Sequence, residues 1–355
     1  MQYAKITGWG KCLPPATLTN HDIATFIETS DEWIQSRTGI SQRHISHVNT
    51  SELASVAAKR AIAAAGIDAT ELDMIILATA SPDTLIPNIA STVQANIGAT
   101  CCAFDINAAC SGFLYGLGLA SSQIRSGQCK KVLVLGAERL SFYLDWSKRE
   151  TAVLFGDGAG AVILEATDNQ EGVLGYELNN DPAGRDILQS GFGTAMDRFD
   201  PKSLDFFIQF NGQEIFKRAI QGMGKLSSLV LEKCNINKED VDLVIPHQAN
   251  VRIIDTLVSR MKIDKEKAFV NIANYGNTSA ATIPIALCDA LEQGRIKAGS
   301  TILSCAFGAG LTSAAALIKW GDRTTPIAIS DAELPPCDKT GLELVKYAAD
   351  YFLSK

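Results

Sequence analysis

A chain of 355 residues that is 46% hydrophobic carries enough apolar side chain for two packed halves or one large duplicated unit. A net charge of −7 and a pI near 5.2 argue against a nucleic-acid binder, and no apolar run approaches the roughly 18 residues of a membrane span. Nine scattered cysteines without a C-x-x-C pair suggest neither a disulfide framework nor a zinc site, so reduced thiols and a cytoplasmic protein are expected.

Along the chain, Ser51 to Ala65 reads as a helix that passes through a polar turn into an apolar strand ending near Ala80. Ala103 to Phe113 is a second passage from strand to helix. Within it, in Asp105-Ile-Asn-Ala-Ala-Cys-Ser-Gly-Phe113, the strand stops, small residues turn the chain, and a Gly- and Leu-rich helix begins at the sulfur of Cys110. A thiol there is a candidate nucleophile. The first helical turn offers free N–H groups and the positive end of the macrodipole, which lower a thiol pKa and hold an oxyanion. Taken alone, such a cysteine is more often a small buried residue. A Gly-containing turn at Ser126-Gly127 precedes a strand from Lys131 to Gly136. Phe155 to Gly160 is Gly-rich, but no strand-GxGxxG-helix unit with a trailing acid surrounds it, so it is expected to shape a site rather than cradle a phosphate.

The same order then returns. A helix over Phe216 to Lys233 leads through a polar turn into the strand of Cys234 to Gln248, Phe269 to Ser279 passes from strand to helix, and a turn at Ala298-Gly299 precedes a strand from Thr301 to Ala306. Two copies of an α/β unit follow, with near-continuous apolar strands implying sheets covered on both faces. The repeat places Cys110 and Asn277 at roughly equivalent turns, so pseudo-symmetry brings them to one interface. His247 ends another strand of the second copy, where Pro246 stops ladder pairing and leaves the ring to be aimed by a loop. Each alone would be an ordinary turn or structural residue; their joint placement marks them. After a Pro-containing linker from Asp322, Leu342 to Phe352 has Leu344, Tyr347, Ala348 and Tyr351 at helical spacing and is expected to dock as an amphipathic helix.

Seven ordered motifs, Thr29-Ser-Asp-Glu-Trp-Ile34, Arg37-Thr-Gly-Ile40, Ala108-Ala-Cys-Ser-Gly112, Phe155-Gly-Asp-Gly-Ala-Gly160, Pro246-His-Gln-Ala-Asn250, Asn274-Tyr-Gly-Asn-Thr278 and Phe307-Gly-Ala-Gly310, carry a resemblance. From Tyr3 to about Trp320 the chain resembles the β-ketoacyl-acyl-carrier-protein synthase III family of the thiolase superfamily. The resemblance implies an α/β, thiolase-like fold of five layers, αβαβα, with related halves over 1–175 and 176–320 and an extension over 321–355. It implies a homodimer that performs a decarboxylative Claisen condensation of an acyl-coenzyme A primer with malonyl-acyl-carrier protein and so starts fatty acid synthesis. No metal and no cofactor beyond the acyl-coenzyme A substrate is implied.

By the same resemblance Cys110 is the acyl-carrying nucleophile, and His247 and Asn277 donate hydrogen bonds to the malonyl thioester carbonyl. The backbone amides of Cys110 and Ala309 form the oxyanion hole, where Ala309 is sound unless its position needs a positive φ. Trp33 and Arg149 sandwich the adenine of coenzyme A, with Thr29, Arg37 and Asn250 nearby. Ile86 limits the acyl pocket of a partner subunit. Lys217, Arg252 and Arg260 face the acidic carrier protein. Cys305, near the last Gly-rich turn, lies where a biosynthetic thiolase has a second cysteine, but its surroundings look like the synthase pattern. Two other readings compete: a condensing or acyl-transferring enzyme of specialised metabolism, and a binding module for acyl-coenzyme A or the carrier protein, indifferent to loss of Cys110.

Overall fold

The computed structural model describes residues 2–190 and 207–354. The first half contains strands β1 (Tyr3–Cys12), β2 (Thr17–Thr19), β3 (Gln42–His44), β4 (Met74–Ala78), β5 (Cys102–Ile106), β6 (Lys131–Arg139) and β7 (Asp157–Thr167). Among them lie helices α1 (Asn20–Ala24), α2 (Asp31–Thr38), α3 (Thr50–Ala65), α4 (Ile89–Ile97), α5 (Gly112–Arg125) and α6 (Arg149–Ala152). The second half has β8 (Gly172–Asn180), β9 (Leu188–Gln189), β10 (Gln209–Phe210), β11 (Leu243–Pro246), β12 (Thr301–Gly308) and β13 (Thr312–Lys319). Its helices are α7 (Gly212–Lys233), α8 (Val251–Met261), α9 (Ile272–Tyr275) and α10 (Thr282–Glu292), and α11 (Gly341–Leu353) follows the last strand.

Two mixed sheets organise these elements, one ordered β1-β7-β6-β4-β5 and the other β11-β12-β13-β8. In the first, β4 runs parallel to β5 and β6 while β7 is antiparallel to β6 and β1; in the second, only β11 and β12 are parallel. Of the apolar runs read as strands, β4, β6, β11 and β12 are buried almost throughout, whereas the edge strand β5 is only partly buried. Helices α5 and α10 fill the space between the sheets, sharing one core with Ile76, Val134, Ile302 and Ala316. Outside the first sheet α3 and α4 bury a small-residue face, and outside the second α7 and α8 bury a larger aliphatic one. The layers therefore run helices, sheet, helices, sheet, helices. No described helix is long and apolar enough to cross a membrane.

The internal repeat holds at a constant spacing of 170 residues: β6 and β12 start at 131 and 301, α5 and α10 at 112 and 282. One expected element is missing. No strand precedes Asn277; instead the Gln248 amide donates to Pro246 O and Phe269 O, at 2.9 and 3.0 Å, and its oxygen accepts from Asn271 N. The expected strand is reduced to one parallel bridge, Val244 to Ala268, with Phe269 N donating to Val244 O at 2.8 Å; the glutamine side chain bonds the chain beyond it, and α9 follows with Asn271, Asn274 and Gly276 interrupting any extended run.

The amphipathic helix expected near the end of the sequence is α11; Leu344 and Ala348 of the expected stripe pack against the core, but the stripe is centred on Val345 and Ala349. Val345 and Ala349 are buried whereas Tyr347 is 87% exposed. A Thr340–Glu343 capping box fixes where the helix starts, and Gly341 beside Thr17 sets which side meets the protein.

Candidate active site

Cys110 sits in a tight turn at the end of β5. Asn107 Oδ1 accepts from Ala109 N at 3.1 Å, Ala109 adopts a left-handed φ of 47°, and a 3₁₀ turn over Ala109–Ser111 leads into α5. The strain of a non-glycine residue at that φ persists because its neighbours are locked. A Cβ on Gly112 would lie 2.9 Å from Ala78 Cβ, and one on Gly308 would lie 2.7 Å from Cys110 N, so two glycines let the surrounding backbone close on the sulfur.

The second half repeats this turn. Asn277 Oδ1 accepts from Ser279 N at 2.8 Å, Ser279 has a φ of 50°, and a 3₁₀ turn over Ser279–Ala281 opens α10. Matched by structure, Asn107 is the counterpart of Asn277, and Ala280 that of Cys110. The sequence reading of Cys110 and Asn277 as equivalents was therefore offset by three residues. Phe155–Gly160 brackets the asparagine: Asn277 N donates to Leu154 O at 2.8 Å and Gly156 N to Asn277 O at 3.1 Å.

Cys110, His247 and Asn277 line one cavity of about 1100 Å3, together with Ser279, Phe307 and Ala309. Asn277 Oδ1 is engaged by Ser279 N, so the Nδ2 amide is the group left for a ligand. His247 is buried at the end of β11, its ring Nδ1 at 2.7 Å from Thr282 Oγ1. When the Thr282 hydroxyl gives its one proton to Ser279 O, 3.0 Å away, its oxygen accepts from Nδ1–H and Nε2 keeps its lone pair. Burial holds this imidazole neutral, pushing its pKa down to about 3.

The thiol departs from the sequence expectation. Burial pushes Cys110 up to about 12, the Ser279 side chain opposing and the Glu138 charge adding to the rise. A helix terminus contributes about 0.3–1 kcal/mol, whereas moving a thiol from 9.0 to about 12 corresponds to roughly 4 kcal/mol, so burial wins. At rest the pair is a neutral thiol and a neutral imidazole.

Ala309 also lines the cavity, and the positive φ of its turn, 125°, falls on Gly310. Ala309 is not among the positive-φ residues, so its amide is retained without strain. Cys305 is fully buried in β12, and its burial pushes the thiol up to about 12.

Trp33, Arg37, Asn250 and Arg252 line the outer part of the cavity. The Arg149 guanidinium lies 4.5 Å and that of Arg37 5.8 Å from the Trp33 ring centroid. A purine between Trp33 and Arg149 needs about 7 Å, so Arg149 has to swing outward to admit one. Thr29 Oγ1 is buried with no hydrogen-bond partner among the described residues. Asn250 is committed elsewhere: Oδ1 caps α8 through Arg252 N and Nδ2 donates to Arg37 O, both at 2.9 Å. Arg149 lines a separate space of about 360 Å3 with Glu28, Glu150 and Leu353. Ile86 is 89% exposed and does not line the cavity of its own chain, whereas Pro82 and Leu85 of the same loop do. Lys217 and Arg260 are exposed on α7 and α8, outside the cavity lining. Among the described residues no group of His, Cys, Asp or Glu is placed to hold a metal ion.

Sequence reasoning passed over Asn107, Ser279, Thr282 and Glu138. Asn107 and Ser279 were available from the 170-residue repeat. Glu138 is fully buried; burial pushes its carboxyl up to about 7 while Ser81 Oγ donates to it at 2.5 Å, Ala80 N at 3.0 Å, and the Ser279 side chain faces it. An acid at the end of an apolar strand was its only signal.

Comparison with known proteins places this geometry among relatives. The family model described as 3-oxoacyl-[acyl-carrier-protein] synthase III matches residues 104–182, and its C-terminal counterpart matches 231–320. Over 351 residues, 98% of this chain and 97% of the relative, the sequence is 60% identical to β-ketoacyl-[acyl-carrier-protein] synthase III 2 of Vibrio cholerae. The crystal structure of 3-oxoacyl-[acyl-carrier-protein] synthase III from Aquifex aeolicus superimposes with a TM-score of 0.84 at 45% identity, covering 89% of this chain and all of that one. A priming β-ketosynthase of a polyketide biosynthetic pathway gives a TM-score of 0.86 at 30% identity over 90% of this chain and 97% of its own.

Proposed function

The chain belongs to the β-ketoacyl-acyl-carrier-protein synthase III family, acyltransferases that start fatty acid synthesis by condensation with malonyl-acyl-carrier protein, and from that premise we propose that Cys110 carries the acyl group and that His247 and Asn277 serve the condensation. The observation that carries this assignment is the meeting of all three side chains in one cavity, each reached by a different turn.

In the acylation half, the thiol proton passes to Nε2 of His247 as sulfur attacks the thioester carbonyl of acyl-coenzyme A. The developing oxyanion accepts from the amides of Cys110 and Ala309, and the departing coenzyme A thiolate takes the proton back. In the second half, the malonyl thioester oxygen accepts from Asn277 Nδ2. Nδ1 gives its proton to solvent and Nε2 takes one up, the Thr282 hydroxyl turning to donate to Nδ1, and in this tautomer His247 is the second donor. Carbon dioxide leaves, the enolate attacks the acyl-Cys110 carbonyl, and the sulfur leaves as a thiolate that takes a proton from solvent. Trp33, Arg37, Thr29 and Arg149 are assigned to the nucleotide end of coenzyme A, suited by flat cationic and aromatic faces. Asn250 serves by holding α2 to α8. Lys217, Arg252 and Arg260 are assigned to the acidic carrier protein.

Two further inferences are supported by surface and thiol chemistry. Exposed Leu85, Ile86 and Phe142 support a homodimer in which Ile86 reaches the partner's acyl pocket. Nine unpaired cysteines support a cytoplasmic site of action.

Intact-mass measurement after incubation with a panel from acetyl- to octanoyl-coenzyme A tests the assignment. A single acyl adduct is expected on the wild type and on Asn277→Ala, and none on Cys110→Ala, while Asn277→Ala loses about 100- to 1000-fold in condensation. An adduct that survives in Cys110→Ala would remove the nucleophile from this cavity.

A further inference from the structure

Residues past Trp320 lie beyond the matched family fold, yet they are bound along their length to the first half. Arg323 donates to Ala64 O at 2.7 Å and also to Thr7 O, and Ile327 N donates to Ala64 O at 3.0 Å. Farther on, Arg60 donates to Ala332 O at 3.0 Å, and His47 Nε2 lies 2.8 Å from Pro335 O. The segment thus straps the outer face of α3 and delivers α11 onto β2, where a Cβ on Gly341 would sit 2.3 Å from Thr17 O.

Once there, α11 closes one apolar cluster. Val345 and Ala349 pack with Leu18, Ile23, Ile34 and Trp146. Two of these neighbours flank the candidate coenzyme clamp: Ile34 follows Trp33 in α2, and Trp146 lies three residues before Arg149. At the far end of the helix, the Phe352 ring meets Phe207 edge-on at 4.7 Å, and Leu353 shares the 360 Å3 space with Glu28 and Arg149. Arg149 itself is tied to Glu28 O at 3.1 Å. Both sides of the clamp therefore rest on elements that α11 covers.

We propose that α11 is a positioning element for acyl-coenzyme A, buttressing α2 and the turn before Arg149 so that Trp33 and Arg149 hold the nucleotide end of the coenzyme. This rests on the assignment of those two residues to coenzyme A. The nucleotide end is absent from acyl-pantetheine and from the phosphopantetheine arm of malonyl-acyl-carrier protein. Loosening α11 therefore weakens one substrate alone, without touching the reacting atoms.

The test compares an acyl-coenzyme A with its acyl-pantetheine counterpart on three full-length or shortened enzymes: one lacking residues 337–355, a Phe352→Ala/Leu353→Ala double variant that keeps Val345 and Ala349 docked, and Trp33→Ala as reference. For both α11 variants KM for acyl-coenzyme A is expected to rise about tenfold with kcat within about twofold, while KM for acyl-pantetheine and for malonyl-acyl-carrier protein stays unchanged. Should the shortened chain not fold, the double variant decides. If Trp33→Ala separates the two acyl donors but the α11 variants shift both alike or neither, the positioning role is overturned. If Trp33→Ala itself fails to separate them, the clamp assignment falls and the proposal with it.

Discussion

At the residue scale, the thiol and imidazole of the site are both held neutral by burial, so acylation requires the proton to move as sulfur attacks. Iodoacetamide labelling of Cys110, followed by peptide mapping to separate it from exposed Cys102, should still be accelerating at pH 9, because the thiol has been pushed up to about 12. A plateau near pH 7 would show instead that the α5 terminus outweighs burial. Glu138 offers a second test. Its folded-state value, about 7, lies above the 4.5 of an unperturbed glutamate, so its contribution to stability is full below pH 4.5 and is lost as pH rises to about 7. The loss is on the order of 3 kcal/mol for a group this deeply buried. In Glu138→Gln, urea midpoints measured between pH 5 and 8 at one protein concentration should show a flatter slope than the wild type.

At the element scale, the site is a product of two copied turns pressed against two strands. Gly308 is where the end of β12 passes the Cys110 turn, and a Cβ there would meet Cys110 N at 2.7 Å and Ser111 N at 3.1 Å. Gly308→Ala should therefore displace the 3₁₀ turn and slow acylation of Cys110 by about 100-fold while the far-ultraviolet circular dichroism stays unchanged. An unaltered acylation rate would mean that the turn yields without moving the sulfur. The same scale explains the rotated face of α11. Leu344 and Ala348 pack at the edge of the same cluster as Val345 and Ala349, while Tyr347 and Tyr351 of the expected stripe are left exposed, and docking against Thr17 set that limit.

At the scale of the whole molecule, the proposed homodimer is open to test. Ile86 protrudes from a loop whose neighbours Pro82 and Leu85 reach the cavity of the same chain, which leaves the isoleucine free to close the cavity of another. Ile86→Phe should shorten the preferred acyl chain, lowering acylation by the longest accepted donor about 10- to 200-fold relative to acetyl-coenzyme A. Ile86→Asp should shift sedimentation from dimer toward monomer. Wild-type protein sedimenting as a monomer at micromolar concentration would end this reading of the loop.

The sequence by itself determined most of the order of elements, the duplicated α/β architecture and the convergence of Cys110, His247 and Asn277, which line one cavity. Apolar periodicity and glycine-bounded turns are local signals, and a repeat carries its own geometry. Tertiary structure alone decided the rest. The three-residue offset between Cys110 and Asn277, the bonds of the Gln248 side chain beyond the bridge at Ala268, the direct contact of Arg149 with Trp33 and the hydrogen bond between His247 and Thr282 all join residues distant in sequence. The rise of the Cys110 thiol belongs there too, since desolvation depends on what surrounds a group in space, and composition does not record that.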